Sequence, residues 1–202
     1  MHAKMLNAGM RVQKEDVRLL LANIDPEASQ ERKSRKLRRR QYHAKGPNYI
    51  WHVDSYDKLK PYGICINGCI DGYSRKMMWL HAYKTSSDPR VVGGYFLQKA
   101  RTMGAVPTVV RADKGTENVL IGQMQRYFRR SGVDALCGEK SFMTGKSCHN
   151  QRIEYWWSFL RKECTDFWIN LFHCLKDQGN YDGSFVDQNL SQFCFMGVIQ
   201  VP

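Results

Sequence analysis

The stretch TVVRADKGTEN, residues 108 to 118, governs the reading of the chain. Its β-branched run reads as a buried strand that carries Asp113 to its carboxyl end, where Lys114-Gly115-Thr116 turns toward a helical pattern. That end of a strand is where α/β sheets gather ligands. Asp113 is therefore the first candidate for chemistry. Two other acids stand in comparable settings: Asp54 in YIWHVDSYDKLKPYG (49 to 63) and Glu154 in HNQRIEYWWSFLRK (149 to 162).

Upstream of the stretch, Tyr49 to Tyr56, GICINGCI (63 to 70) and KMMWLHAY (76 to 83) read as three strands, the last two joined by the turn DGYSR. Short connections make them an antiparallel meander. Trp51 and Val53 share one face of the first strand, His52 and Asp54 the other. Ser87-Asp88-Pro89 supplies an N-cap and a proline at N1 for a helix running to Gly104. Downstream, a helix is predicted over 119 to 131 with Ile121, Met124, Tyr127 and Phe128 inward, then a short strand at Asp134 to Leu136. The order is β-β-β-α-β-α-β.

Residues 137 to 149, rich in Gly, Ser and Lys, read as a mobile loop beside the site. Beyond it, Ile153, Trp156, Trp157, Leu160, Cys164, Phe167, Trp168 and Leu171 recur at helical spacing. Glu154, Ser158, Arg161 and Lys162 fall on the adjacent polar stripe. The tail after Gly179 is expected to hold one short helix around Gln188 to Phe195.

Near the amino terminus, Val17, Leu20, Leu21 and Ile24 recur at helical spacing until Asp25-Pro26 stops the pattern. Gly9 followed by this helix resembles the last part of a helix-turn-helix unit; a solvated surface helix explains it equally well. The segment ERKSRKLRRRQYHAKGPN (31 to 48) reads as a basic linker, with Arg38, Arg39 and Arg40 in a phosphate-contacting arm or nuclear-import signal. The expected organisation is a partial helix-turn-helix-like segment (1–30), the linker (31–48), a core (49–178) and a tail (179–202).

The totals narrow the function. Lys and Arg outnumber Asp and Glu by 31 to 19, for a net charge of +12, so a polyanion such as nucleic acid is the expected partner. No apolar run approaches the roughly 20 residues that span a bilayer, and an intracellular protein is expected. Seven scattered cysteines without a C-x-x-C pair read as reduced core thiols, and the six histidines form no zinc-like spacing.

The ordered set WHVDSY around Asp54, CIDGYSRKMMW, RADKGTEN around Asp113 and HNQRIEYWWSFLRK around Glu154 resembles the DDE integrases and transposases, over about residues 42 to 178. The resemblance implies a ribonuclease H-like α/β fold: a mixed five-stranded sheet in the order β-β-β-α-β-α-β-α with helices on both faces. It implies Asp54, Asp113 and Glu154 as catalytic metal ligands, with Asp54 shared between two Mg²⁺ or Mn²⁺ ions. Clustered carboxylates repel one another, and hard divalent cations about 3.5–4 Å apart relieve that while stabilising attacking and leaving oxygens. DNA ends and target DNA are the implied substrates, Arg161, Lys162 and Lys114 with the arginine run the implied DNA contacts, and a homo-oligomer acting in the nucleus the implied setting.

Two features depart from the retroviral pattern. The interval from Asp113 to Glu154 is a few residues longer, and neither the zinc-binding amino-terminal module nor the carboxyl-terminal barrel is recognisable. Each acid also has an ordinary explanation: Asp113 as a turn cap, Glu154 as a first-turn acid answering the helix dipole, Asp54 as a strand-end residue. A host-retained, non-mobile DNA-binding or interaction protein, or a simple ribonuclease H-like nuclease, remains the alternative. Asp57, Asp71 and Glu117 read as turn or supporting groups, and Trp156-Trp157 as core packing.

Overall fold

The computed structural model describes residues 2–34, 42–145 and 150–200, in two compact units, Met1–Tyr42 and His43–Pro202. Arg38, Arg39 and Arg40 lie outside the described residues, as does part of the expected loop, 146–149.

Among the described residues the first unit has three helices, α1 (His2–Asn7), α2 (Lys14–Ile24) and α3 (Pro26–Ser34). Gly9, at φ +79°, ends the first by adopting the left-handed conformation that glycine takes without strain. Asp25-Pro26 does stop α2, but it also starts α3: Asp25 Oδ1 accepts the Ala28 N–H at 2.9 Å and Pro26 occupies the first helical position. Helix thus runs into the segment read as linker. Leu20 and Ile24, expected inward, are exposed, whereas Val17 is buried.

The second unit is built on a five-stranded sheet in the order β3-β2-β1-β4-β5. Strands β1 (Ile50–Tyr56), β2 (Cys65–Asp71) and β3 (Met77–Tyr83) form the antiparallel meander; β4 (Val109–Ala112) joins β1 in parallel, and β5 (Phe142–Thr144) joins β4 in parallel. Helices α4 (Pro89–Met103), α5 (Val119–Phe128), α6 (Gln151–Leu160), α7 (Asp166–Asp177) and α8 (Phe185–Ile199) complete it. Asp88 caps α4 by accepting the Arg90 N–H, as its Asp-Pro start predicts. This is the expected ribonuclease H-like α/β arrangement, with β1 in the middle of the sheet.

The period-2 pattern of β1 divides two apolar clusters. Trp51 and Val53 join Cys69, Val92, Phe96, Val110 and Ile121, the cluster under α4 and α5. Tyr56 joins Leu59, Ile66, Ile70, Ile153, Trp157 and Phe172, the cluster under α6 and α7.

Several sequence expectations need correction. The fifth strand is not at Asp134 to Leu136. There the Asp134 carboxylate accepts the Leu136 N–H at 3.0 Å and pairs with Arg129, and the Cys137 N–H bonds the Asp134 carbonyl, so the backbone is spent on a local turn. The strand falls instead at Phe142–Thr144, inside the stretch read as loop. In α5, Tyr127 and Phe128 are exposed although Ile121 is fully buried; Tyr127 lies about 120° round the helix from Ile121, Gln125 takes the buried position, and the helix ends at Phe128. The tail helix is longer than expected. Of the described cysteines, all free thiols, Cys65 and Cys69 are buried but Cys174 and Cys194 are exposed.

The long helix after Glu154 is interrupted by a π turn, Arg161–Thr165, between α6 and α7. A π turn adds one residue to the helix, so every later residue is displaced by one in the burial pattern. Thr165 and Phe172 are buried where uniform spacing placed Cys164 and Leu171, and Phe167 is turned out to solvent.

Candidate active site

His52, Asp54 and Tyr56 alternate with the dry residues of β1 and so point to the α6–α7 side of the sheet. Each meets a different point of the long helix. His52 Nδ1 lies 2.6 Å from Asn150 Oδ1, Trp157 Nε1 donates to Asp54 Oδ2 at 2.9 Å, and the Tyr56 and Thr165 hydroxyls lie 2.9 Å apart. Asn150 Nδ2 also donates to the Val53 carbonyl at 2.8 Å, which leaves its Oδ1 to accept from His52 Nδ1–H. Four hydrogen bonds at three positions, Asn150, Trp157 and Thr165, thus seam β1 to this segment.

The spacing of the seam explains the π turn. Seven residues of α-helix return a side chain to within about 20° of its starting direction, as from Asn150 to Trp157, whereas eight overshoot by about 80°. Trp157 to Thr165 is the longer interval, and the extra residue of the π turn absorbs it. Gly68 is the other fitting. It stands opposite Asp54 in the β1–β2 register, and a Cβ there would come 2.8 Å from the Trp157 ring, so only glycine lets the indole lie across the strand to reach Asp54.

The electrostatics distinguish this patch from ordinary surface. Burial pushes the Asp54 carboxyl up to about 6; the charges of Asp113 and Glu154 push the same way, and the hydrogen bonds from Trp157 and the Ser55 backbone oppose them. Burial lowers His52 to about 4, with the cations Arg111 and Arg152 adding to it, so the imidazole is neutral at pH 7. Asp113 follows β4 directly, and its Oδ1 accepts from the Gly115 N–H at 3.1 Å and Asn118 Nδ2 at 2.8 Å. It therefore does cap its turn, while its charge also reaches Asp54. Glu117, read only as a supporting group, folds back toward Asp113; burial first, then that neighbouring carboxyl, raises its pKa.

Glu154 lies on the first turn of α6 and lines an open cleft of about 430 Å³ with Ser55, Lys58, Trp157, Ser158 and Arg161. Arg161 is thus on the same side as Glu154, as the two-turn spacing predicts, and its Nε donates to Asp166 Oδ1 at 2.9 Å. Lys114 and Lys162 are exposed. Among the described residues no three His, Cys, Asp or Glu side chains converge tightly enough to ligate a single ion. The oxygen-only donors of Asp54, Asp113 and Glu154 are of the kind that suits a hard divalent cation such as Mg²⁺ or Mn²⁺.

Asn150 and Trp157 support the candidate site through bonds that their local sequence does not announce. Trp157 is buried in the core, as expected, and its indole N–H also donates to Asp54. An asparagine immediately before a helical stripe is the visible signal for Asn150, although here its side chain seeks the strand and makes no cap bond to its own helix.

No curated protein matches this chain. A family model described as integrase core domain matches residues 41–201, most of the chain including the tail helix, and the chain therefore belongs to the integrase core domain family.

Proposed function

We propose that the protein is a metal-dependent polynucleotidyl transferase that cuts DNA ends and joins the resulting 3′-hydroxyl to target DNA. The observation that carries this reading is the electrostatic grouping of Asp54, Asp113 and Glu154 in a ribonuclease H-like core: Asp54 is held near a pKa of 6 by burial and by the other two charges. Such a site has surplus negative charge at neutral pH and oxygen donors to share. Asp54, Asp113 and Glu154 would hold the ions, which would supply Lewis acidity to the phosphodiester. When bound, the ions would activate the attacking oxygen and stabilise the leaving one at phosphorus.

The remaining work falls to the chain itself. Trp157 fixes the Asp54 carboxylate through its indole N–H, and Asn150 fixes the start of α6 on β1, one turn before Glu154. Arg161, in the Glu154 cleft, is suited to grip a phosphate of the incoming DNA end, since its ion pair with Asp166 engages Nε and a guanidinium has four further N–H donors. Lys114 and Lys162 would add charge at the rim, and the arginine run at 38–40 sequence-independent affinity for nuclear DNA.

The test is incubation of the purified chain with a labelled duplex end, a target duplex and Mg²⁺ or Mn²⁺. Joined products are expected, and Asp54→Asn, Asp113→Asn and Glu154→Gln should each abolish them while the protein stays folded. Full activity in any one of these variants would remove that residue from the site; nicking without joining would favour a simple nuclease.

A further inference from the structure

Strand β3 ends the sheet on its side, so one row of its peptide groups faces away from β2. One point of that row is already taken. Gln200, just past the end of α8, donates from Nε2 to the Leu80 carbonyl at 3.2 Å, and its Oε1 accepts the Ala82 N–H. A carbonyl and the N–H two residues further on, joined by a single amide, is how a parallel strand pairs with the residue between them. The Gln200 carboxamide thus stands where one residue of an added strand would stand, opposite His81. Beside it lies a small cavity of about 30 Å³ with an apolar lining that includes Leu80, Ala82, Leu160 and Ile199.

We infer that the outer edge of β3 is a docking site for an extended polypeptide segment, apolar at its centre and acidic at its ends, which adds in parallel and displaces the Gln200 side chain. Peptide hydrogen bonds to an edge give such a segment affinity, and pockets for alternate side chains give it specificity. Both are present here. The residues before and after the one opposite His81 would direct their side chains to the α8 side, beside Leu80 and Ala82, where the cavity can receive an apolar group. The charge at the two ends of the strand comes from exposed Arg75, Lys76 and Lys84, and no acid occurs from 75 to 84. Nucleic acid would meet the same cations but has no peptide groups for the edge, so an acidic polypeptide is the occupant that uses both. With Gln200 in place the edge is closed at its centre, which also keeps β3 from pairing indiscriminately.

The probe is a fluorescent peptide of about nine residues, with Glu and Asp at each end and alternating Val and Thr between them. Its binding is followed by polarisation on the full chain without DNA or metal, so the result does not depend on the catalytic reading. The wild type should bind it, and more weakly as salt is raised. Gln200→Ala should bind roughly tenfold more tightly, because the peptide no longer competes for two hydrogen bonds of the edge. N-methylation of alternate peptide residues should abolish binding in one register and leave it within about twofold in the other, since only every second N–H of an added strand faces β3. This last arm uses the wild-type chain and is untouched by any effect of Gln200→Ala on the end of α8. Absence of binding to both proteins would mean that Gln200 only guards an edge and would overturn the inference. Equal or weaker binding by Gln200→Ala with its circular dichroism unchanged, or equal effects of the two methylation registers, would overturn it as well.

Discussion

On one side of β1, Trp51 and Val53 enter a cluster of apolar side chains from α4 and α5; on the other, His52, Asp54 and Tyr56 each bond a separate point of the α6–α7 helix. The first side is held mainly by buried apolar area, with a directed bond from Gln125 Nε2 of α5 to the Pro107 carbonyl at 2.8 Å. The second is held by directed bonds, which fix the helix along its axis as well as against the sheet. A site that must keep Glu154 in place relative to Asp54 belongs on the second side.

The largest effect should come from the apolar side. Phe96→Ala empties a fully buried aromatic position and is expected to cost about 3–5 kcal/mol, measured by urea unfolding. If the two sides differ as described, metal-induced stabilisation of whatever remains folded should persist. Asn150→Ala should cost less, roughly 2–4 kcal/mol, because it strips a buried partner from both His52 and the Val53 carbonyl. Unlike Phe96→Ala, it should weaken the response to Mg²⁺ and speed hydrogen exchange at the start of α6. Equal metal responses in the two variants would erase the distinction.

A subtler contrast comes from pH. Asp54 titrates near 6 in the folded protein against about 3.8 for the free group, so the fold binds that proton more tightly. This group therefore adds stability below about pH 4 and loses it as pH rises through 6. His52 works the other way, since its folded value near 4 lies below 6.5: its contribution is present above 6.5 and is lost as pH falls through 4. In metal-free buffer the stability of Asp54→Asn relative to the wild type should rise by about 2 kcal/mol from pH 4.5 to 7.5. A pH-independent difference would mean that Asp54 is not held out of water. The smallest effect belongs to the exposed rim, where Arg161→Ala should lower the log–log salt slope of DNA binding by roughly 0.9 and leave Mg²⁺ stabilisation unchanged.

The difference between the sides also sets what the sequence reveals. Alternation in β1, the Asp-Pro start of α4 and the β-branched run before Asp113 are local signals, and they announce strands, helix and candidate acids directly. The seam is not local. Nothing in HNQRIEYWW says that Asn150 turns to Val53 or that Trp157 reaches Asp54, because the first depends on where β1 lies and the second on Gly68 in another strand leaving room. The fifth strand escaped notice for a related reason: three residues borrow their order from pairing with β4, whereas Asp134 advertises a strand boundary that its own carboxylate turns into a bend.

The π turn at Arg161–Thr165 gives the chain an unusual tolerance. Loss of a single residue from an α-helix normally rotates everything beyond it by about 100° and turns its packed face to water. Here one residue is surplus to the helical count, and Lys162 and Glu163 are exposed. Deleting either would let the segment wind as plain α-helix while Thr165, Trp168 and Phe172 keep their directions. The same deletion one turn into α7 would send Phe172 out of the cluster. Insertions and deletions among homologous chains should therefore collect at this one bend of an otherwise length-intolerant helix.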